Sequence, residues 1–178
     1  MNTNNKQSSW EKVKQEVRQF KDALGMPVDE GIFETVAVFR YLGINTTMSC
    51  AGHLDRITRG PYVYFMSNQN GKLLLKMKEI GDRTNPEYKQ LFNETTRNNL
   101  IERQKIIPSL DAFYTNRFVS YNQRIIIEGF GPSKNYMLCQ GAELAYILDQ
   151  KEQVDLLGKN QTEMKTFTQY LIKQLQLI

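Results

Sequence analysis

"INTTMSCAGHLDRITRGPYVYFM", residues 44–66, is the stretch whose reading decides the fold. Its first part alternates, with Ile44, Thr46, Met48 and Cys50 on one side and Asn45, Thr47 and Ser49 on the other. That is the period of a strand, and its β-branched residues suit one. "YVYFM" at 62–66 reads as a second strand. The intervening "AGHLDRITRGP", 51–61, has the glycine and proline content of a loop. It is long for a hairpin connection, and loops of that length more often carry function than tight turns do.

Working outward toward the N-terminus, Trp10, Val13, Val17, Phe20 and Leu24 recur at spacings of three and four and predict an amphipathic helix over 8–24. Ser8 and Glu11 form a capping-box pattern at its start, and Gly25 with Pro27 stops it. A second helix is expected to open at Asp29, whose carboxylate can accept from the orphan amides of the first turn. Ile32, Val36 and Phe39 line its face and Gly43 ends it, immediately before the 44–50 strand.

Toward the C-terminus, "KLLLKMKEI" reads as a short helix, and residues 85–117 as a helical excursion that Pro108 must break or kink. "QRIIIEGF" and "NYMLCQ" are strands joined by the turn formers of "GPSK". The end reads as two helical segments, 142–157 and 161–177, with Asn160 and Glu163 suited to cap the second. Together these predict an α/β (α+β) single domain spanning residues 1–178. Its small, mainly antiparallel four-stranded sheet, from 44–50, 62–66, 124–130 and 135–140, is covered by helices.

The 40% hydrophobic and 24% charged fractions are those of an ordinary globular chain. Its apolar runs fall far short of the roughly 20 residues that span a bilayer, so no membrane partner is expected. The polar start "MNTNNKQSSWEKVK" lacks a secretory pattern, which makes cytoplasmic the expected location, with both cysteines reduced. A net charge of +4 from scattered basic residues supports nucleic acid as a partner only weakly.

Chemistry-bearing residues concentrate after the first strand. His53 is the chain's single histidine and Cys50 one of two cysteines, with Gly52 between them and Asp55, Arg56 and Arg59 following. Four readings are compatible with this pattern. Cys50 could be a nucleophile with His53 as base and Asp55 orienting the ring. Cys50 and His53 could ligate a metal with Asp55 or Cys139; a structural zinc needs four ligands and the chain has three Cys and His in all, so no metal set is assigned. The amides near Gly52, with His53, Arg56 and Arg59, could hold an anionic group. Finally, Cys50 could be a small buried apolar residue and His53 a hydrogen-bonded corner. Glu128 and Glu143 read as a strand end and a helix start, and the nearby tyrosines, Tyr62 and Tyr64 among them, offer stacking surfaces for bases.

Residues 25–65, with Ser49, Cys50, Ala51, Gly52 and His53 at their centre, resemble a family of small bacterial and phage proteins that carry a Ser-Cys-x-Gly-His motif. Members often have glutamate where this chain has Ala51, and the resemblance implies a scaffold rather than an activity. More distantly, Thr46, Thr47, Ser49, Cys50, Gly52 and His53 are similar to the motif of the wybutosine-synthesis tRNA methyltransferases, which implies S-adenosylmethionine and RNA. Those relatives carry arginine or lysine where His53 stands.

The expected function is a pocket for a polar or anionic, nucleotide-like small molecule at the SCAGH loop. Its binding residues are Ser49, Gly52, Arg56, Arg59 and Tyr62, and its candidate catalytic residues Cys50, His53 and Asp55. Group transfer to RNA or a nucleotide from S-adenosylmethionine is the enzymatic alternative. A homo-oligomeric interaction module that uses the 85–117 excursion as its dimer surface is the third.

Overall fold

The computed structural model describes residues 3–21, 25–55, 59–129 and 131–177. In chain order the elements are helix α1 (Thr3–Arg18), a 3-10 turn (Glu30–Ile32) running into α2 (Phe33–Tyr41), strands β1 (Thr46–Cys50) and β2 (Tyr62–Phe65), helices α3 (Asn70–Ile80), α4 (Pro86–Gln104) and α5 (Ile107–Tyr114), a 3-10 turn (Tyr121–Gln123), strands β3 (Ile125–Gly129) and β4 (Asn135–Cys139), a 3-10 turn (Ala142–Tyr146) where a helix from 142 was expected, and helix α6 (Gln150–Leu175). The four strands form one sheet in the order β1-β2-β4-β3, every pair antiparallel. The α+β class and the four-stranded sheet are as the sequence predicts.

Cross-strand pairing sorts the sheet into two faces, because paired residues point the same way. Val63, Met137 and Ile127 form one row and Phe65, Asn135 and Gly129 another; Val63, Phe65 and Met137 are fully buried. This face packs into one core with Trp10 of α1, Val36 and Phe39 of α2, Phe113 of α5 and Phe167 of α6. The opposite face carries Met48, Tyr64, Tyr136 and Glu128, exposed or half-buried, and the row of Cys50, Tyr62 and Leu138, in which Cys50 and Leu138 are buried. An antiparallel sheet tolerates such one-sidedness because no crossover helix has to cover its second face.

Four local expectations give way to tertiary forces. Helix α1 starts at Thr3 rather than Ser8 and ends at Arg18 rather than Leu24, which lies outside the described residues. Ser9 accordingly bonds back to the Asn5 carbonyl inside the helix, and Lys6 reaches the Leu175 carbonyl at the end of α6. Strict alternation fails in β1, where Thr46 pairs with Phe65 but Met48 with Tyr64. Thr47 is thus the extra residue of a β-bulge, so Thr46 is buried while Met48 is 45% exposed. At the C-terminus, α6 is continuous through Gly158 and is capped by Asp149 with Glu152. Asn160 and Glu163, expected as caps, are buried within it, because the helix lies against the core there. The fourth case is Asp29, taken up below. By contrast, Asn85 caps α4 through the Glu87 amide, and the break between α4 and α5 falls just before Pro108.

α4 is bound to the sheet by a buried polar network. Asn99 accepts from the Ser67 amide at 3.1 Å and from Asn70 at 2.8 Å, and donates to the carbonyls of Gly131 and Pro132. Asn135 of β4 donates to the Asn99 carbonyl at 2.9 Å and accepts from Arg103 at 3.0 Å. Removing the Asn99 side chain strands several buried groups at once, each at a cost of about 1–3 kcal/mol. Asn99→Ala is therefore expected to lower stability by about 2–4 kcal/mol, read as a shift of the urea midpoint at unchanged slope.

Candidate functional site

Asp29 occupies the N-cap position of the 3-10 turn, yet its side chain makes no cap hydrogen bond. The carboxylate turns instead to the far end of β1, where its Oδ2 accepts from the Ala51 amide at 3.1 Å and meets His53 Nε2 at 3.1 Å. This corrects the capping role expected from the sequence: three donors at one corner outweigh one amide of a short turn. The Cys50 thiol adds a further hydrogen bond to the same carboxylate. Partial burial pushes the Asp29 carboxyl up, but the Ala51, His53 and Cys50 hydrogen bonds and the His53 charge together hold it below its usual range.

One carboxylate, one thiol and one imidazole thus converge, with their donor atoms all within 4.8 Å of one another. Cys50 is buried, while the Asp29 and His53 side chains are 40% and 42% exposed. The Gly52 amide points at Cys50 Sγ at 3.4 Å. Behind the corner, Gln161 of α6 donates to the carbonyls of Ala51 and Gly52 at 3.1 and 3.3 Å. These are the residues whose donors could hold a metal, and the same arrangement could move a proton between thiol, carboxylate and ring.

Gly52 has a reason of its own. Its φ is +86°, and a Cβ there would come within 2.8 Å of the Gly60 and Pro61 backbone and of Leu157. Space beside it is filled by protein, and its amide is spent on the Cys50 sulfur rather than held for an anion.

The other expected site residues are placed as follows. Asp55 is exposed on the turn after His53, and among the described residues the carboxylate on the His53 ring is that of Asp29. Ser49 pairs with Val63 and so lies on the opposite sheet face from Cys50, along a separate hollow of about 210 Å³ with Phe20, Val36 and Arg40. Arg59 is committed elsewhere, donating to the Ala145 carbonyl at 3.2 Å and lying over the Tyr146 ring. Arg56 lies outside the described residues. Tyr62 is the cross-strand partner of Cys50 and shares its face. Cys139, considered as a metal ligand, is in the core facing the Asn160 carbonyl, and burial together with Glu163 pushes its thiol up to about 12.

No family model, curated protein or solved structure matches this chain.

Other residues also join the picture. Asp29 was visible only as a helix cap, and Gln161 carried no signal. On the sheet face beside Cys50, the rings of Tyr62, Tyr64 and Tyr136 cluster with centroids 4.5–5.8 Å apart, and Lys134 Nζ lies 3.8 Å from the Tyr64 centroid. Burial pushes the Lys134 ammonium below its usual range. A hollow of about 600 Å³ along α6 includes buried Glu163, whose two oxygens take the Tyr114 hydroxyl at 2.9 Å and Arg117 at 2.7 Å. Those bonds make Glu163 a brace between α5 and α6.

Two outcomes follow. Gly52→Ala is expected to destabilise the fold by at least about 1–3 kcal/mol, since the clash of its Cβ with the Gly60–Pro61 backbone adds to the strain of a positive φ, measured by denaturant unfolding. Cys139 is expected to resist iodoacetamide at pH 8 in the folded chain and to react only once urea unfolds it, as read by peptide mass mapping.

Proposed function

We propose that this protein binds a planar, anionic small molecule of the nucleotide class at the margin of its open sheet face, next to the SCAGH corner. One observation carries the reading: Cys50 and Tyr62 are cross-strand partners, so the polar corner and the three-tyrosine cluster share one face. Half-buried rings present π-faces on which any base can stack, and such stacking contributes about 1–3 kcal/mol per base. Lys134 stands over one of these rings as a partly desolvated cation, which supports a phosphate as the anionic part of the ligand. His53 and Asp29, both partly exposed, supply a donor and an acceptor for the ligand's polar edge. Ser49 and Arg59 have no part in this version of the site, since one faces away and the other is engaged with Ala145 and Tyr146.

A thermal-shift and calorimetric titration with AMP, with a short oligoribonucleotide and with S-adenosylmethionine tests this. Binding of AMP should raise the melting temperature by mass action. Tyr62→Ala, at the ring beside Cys50, should weaken AMP by roughly 5- to 150-fold, as expected for the loss of one stacked base. Lys134→Ala should weaken AMP but leave adenosine unchanged. A response to S-adenosylmethionine without one to AMP would move the reading to group transfer, and no response to any of the three would remove it.

A further inference from the structure

We propose that Asp29, Cys50 and His53 form a three-ligand site for a single divalent transition-metal ion of the zinc type, with its fourth position open to solvent. The inference stands on the triad alone and does not depend on nucleotide binding. Three chemically different donors meet from two places in the chain, the residue before the 3-10 turn that leads into α2 and the end of β1 with the loop that follows it. A tetrahedral ion with about 2.3 Å to sulfur and about 2.0–2.1 Å to nitrogen and oxygen places its donors roughly 3.3–3.6 Å apart. Here the imidazole nitrogen and the carboxylate oxygen are 3.1 Å apart, and no pair in the triad exceeds 4.8 Å. The 4.8 Å bound exceeds the wider tetrahedral spacing by about 1.2 Å, a distance on the scale of side-chain torsional adjustment.

The donor set also selects the ion. Calcium and magnesium take oxygen ligands, whereas a thiolate and an imidazole suit zinc and its neighbours. On binding, the Cys50 sulfur gives its electron pair to the metal and its proton leaves to solvent, so no oxidant or reductant is required. With one thiolate, one carboxylate and a neutral imidazole, the occupied site carries no net charge. Bonds outside the triad hold its members in place, as supporting hydrogen bonds do at metal sites. The Ala51 amide fixes the carboxylate, the Gly52 amide faces the sulfur, and Gln161 pins both carbonyls of the intervening turn. The half-exposed flanks of Asp29 and His53 leave a path for entry and room for water or a ligand atom as the fourth partner.

The test is a titration of the reduced full chain with Co²⁺, followed by absorbance. The expected result is one equivalent bound, a near-ultraviolet thiolate-to-cobalt charge-transfer band, intensified visible bands of tetrahedral cobalt, and displacement of both by Zn²⁺. Cys50→Ser should abolish the charge-transfer band while Cys139→Ser retains it. Asp29→Asn keeps an acceptor for the Ala51 amide and His53→Gln changes a half-exposed side chain, so both should fold; each should weaken Co²⁺ by roughly tenfold or more. Absence of the band from the wild-type chain overturns the proposal, as does a band that survives Cys50→Ser. Unchanged Co²⁺ affinity in Asp29→Asn and His53→Gln overturns the ligand set.

Discussion

The carboxylate of Asp29 is the constraint around which this molecule is arranged. It bridges the entry of α2 and the exit of β1, two places that the chain separates by about twenty residues and that no regular backbone ladder joins. A helix-cap residue normally keeps its side chain for its own first turn. Here the turn forgoes that bond, and the carboxylate collects the Ala51 amide, the Cys50 thiol and the His53 ring. A partly buried anion needs such donors to stay ionised, and the donors need the anion to hold one geometry. The polar corner and the packing of α2 against β1 are therefore one feature.

The rest of the fold keeps that corner stiff. α6 runs unbroken behind it, with Leu157 against Gly52 and Gln161 on the turn carbonyls. Across the molecule, Thr35 of α2 and Thr168 of α6 share a buried hydrogen bond of 2.7 Å. The asparagine network fastens α4 to the opposite ends of the strands. With one sheet face occupied by the core, the tyrosines are left on the other, beside the corner. Among the described residues no helix is long and apolar enough to cross a membrane. The proposed ligand-binding role would place the site between regular elements, which is what a preorganised site requires.

The sheet was legible because burial on one face writes a period of two into short segments, as in "YVYF", and because the apolar run of "NYMLC" is bounded by turn formers. The break before Pro108 and the Asn85 cap were legible because a proline ring and a side-chain cap act within a few residues. What misled was chemistry with two uses. Asp29 satisfies the local rule for a cap, and only the approach of β1 offers it better partners. Asn160 looks like the start of a helix, but it lies in the interior of α6, buried against the core. The β1 bulge leaves no mark in the alternation, since Thr46 and Thr47 are the same residue type and either could face inward.

By itself, then, the sequence determined the strands, the α+β class and the nearness along the chain of Cys50 and His53, since all of these follow from spacings shorter than one helix or hairpin. Tertiary structure decided which carboxylate joins them. Asp29 lies 24 residues before His53, whereas Asp55 is two residues after it and remains exposed. Packing of α2 against the sheet, rather than nearness along the chain, brings the anion to the ring.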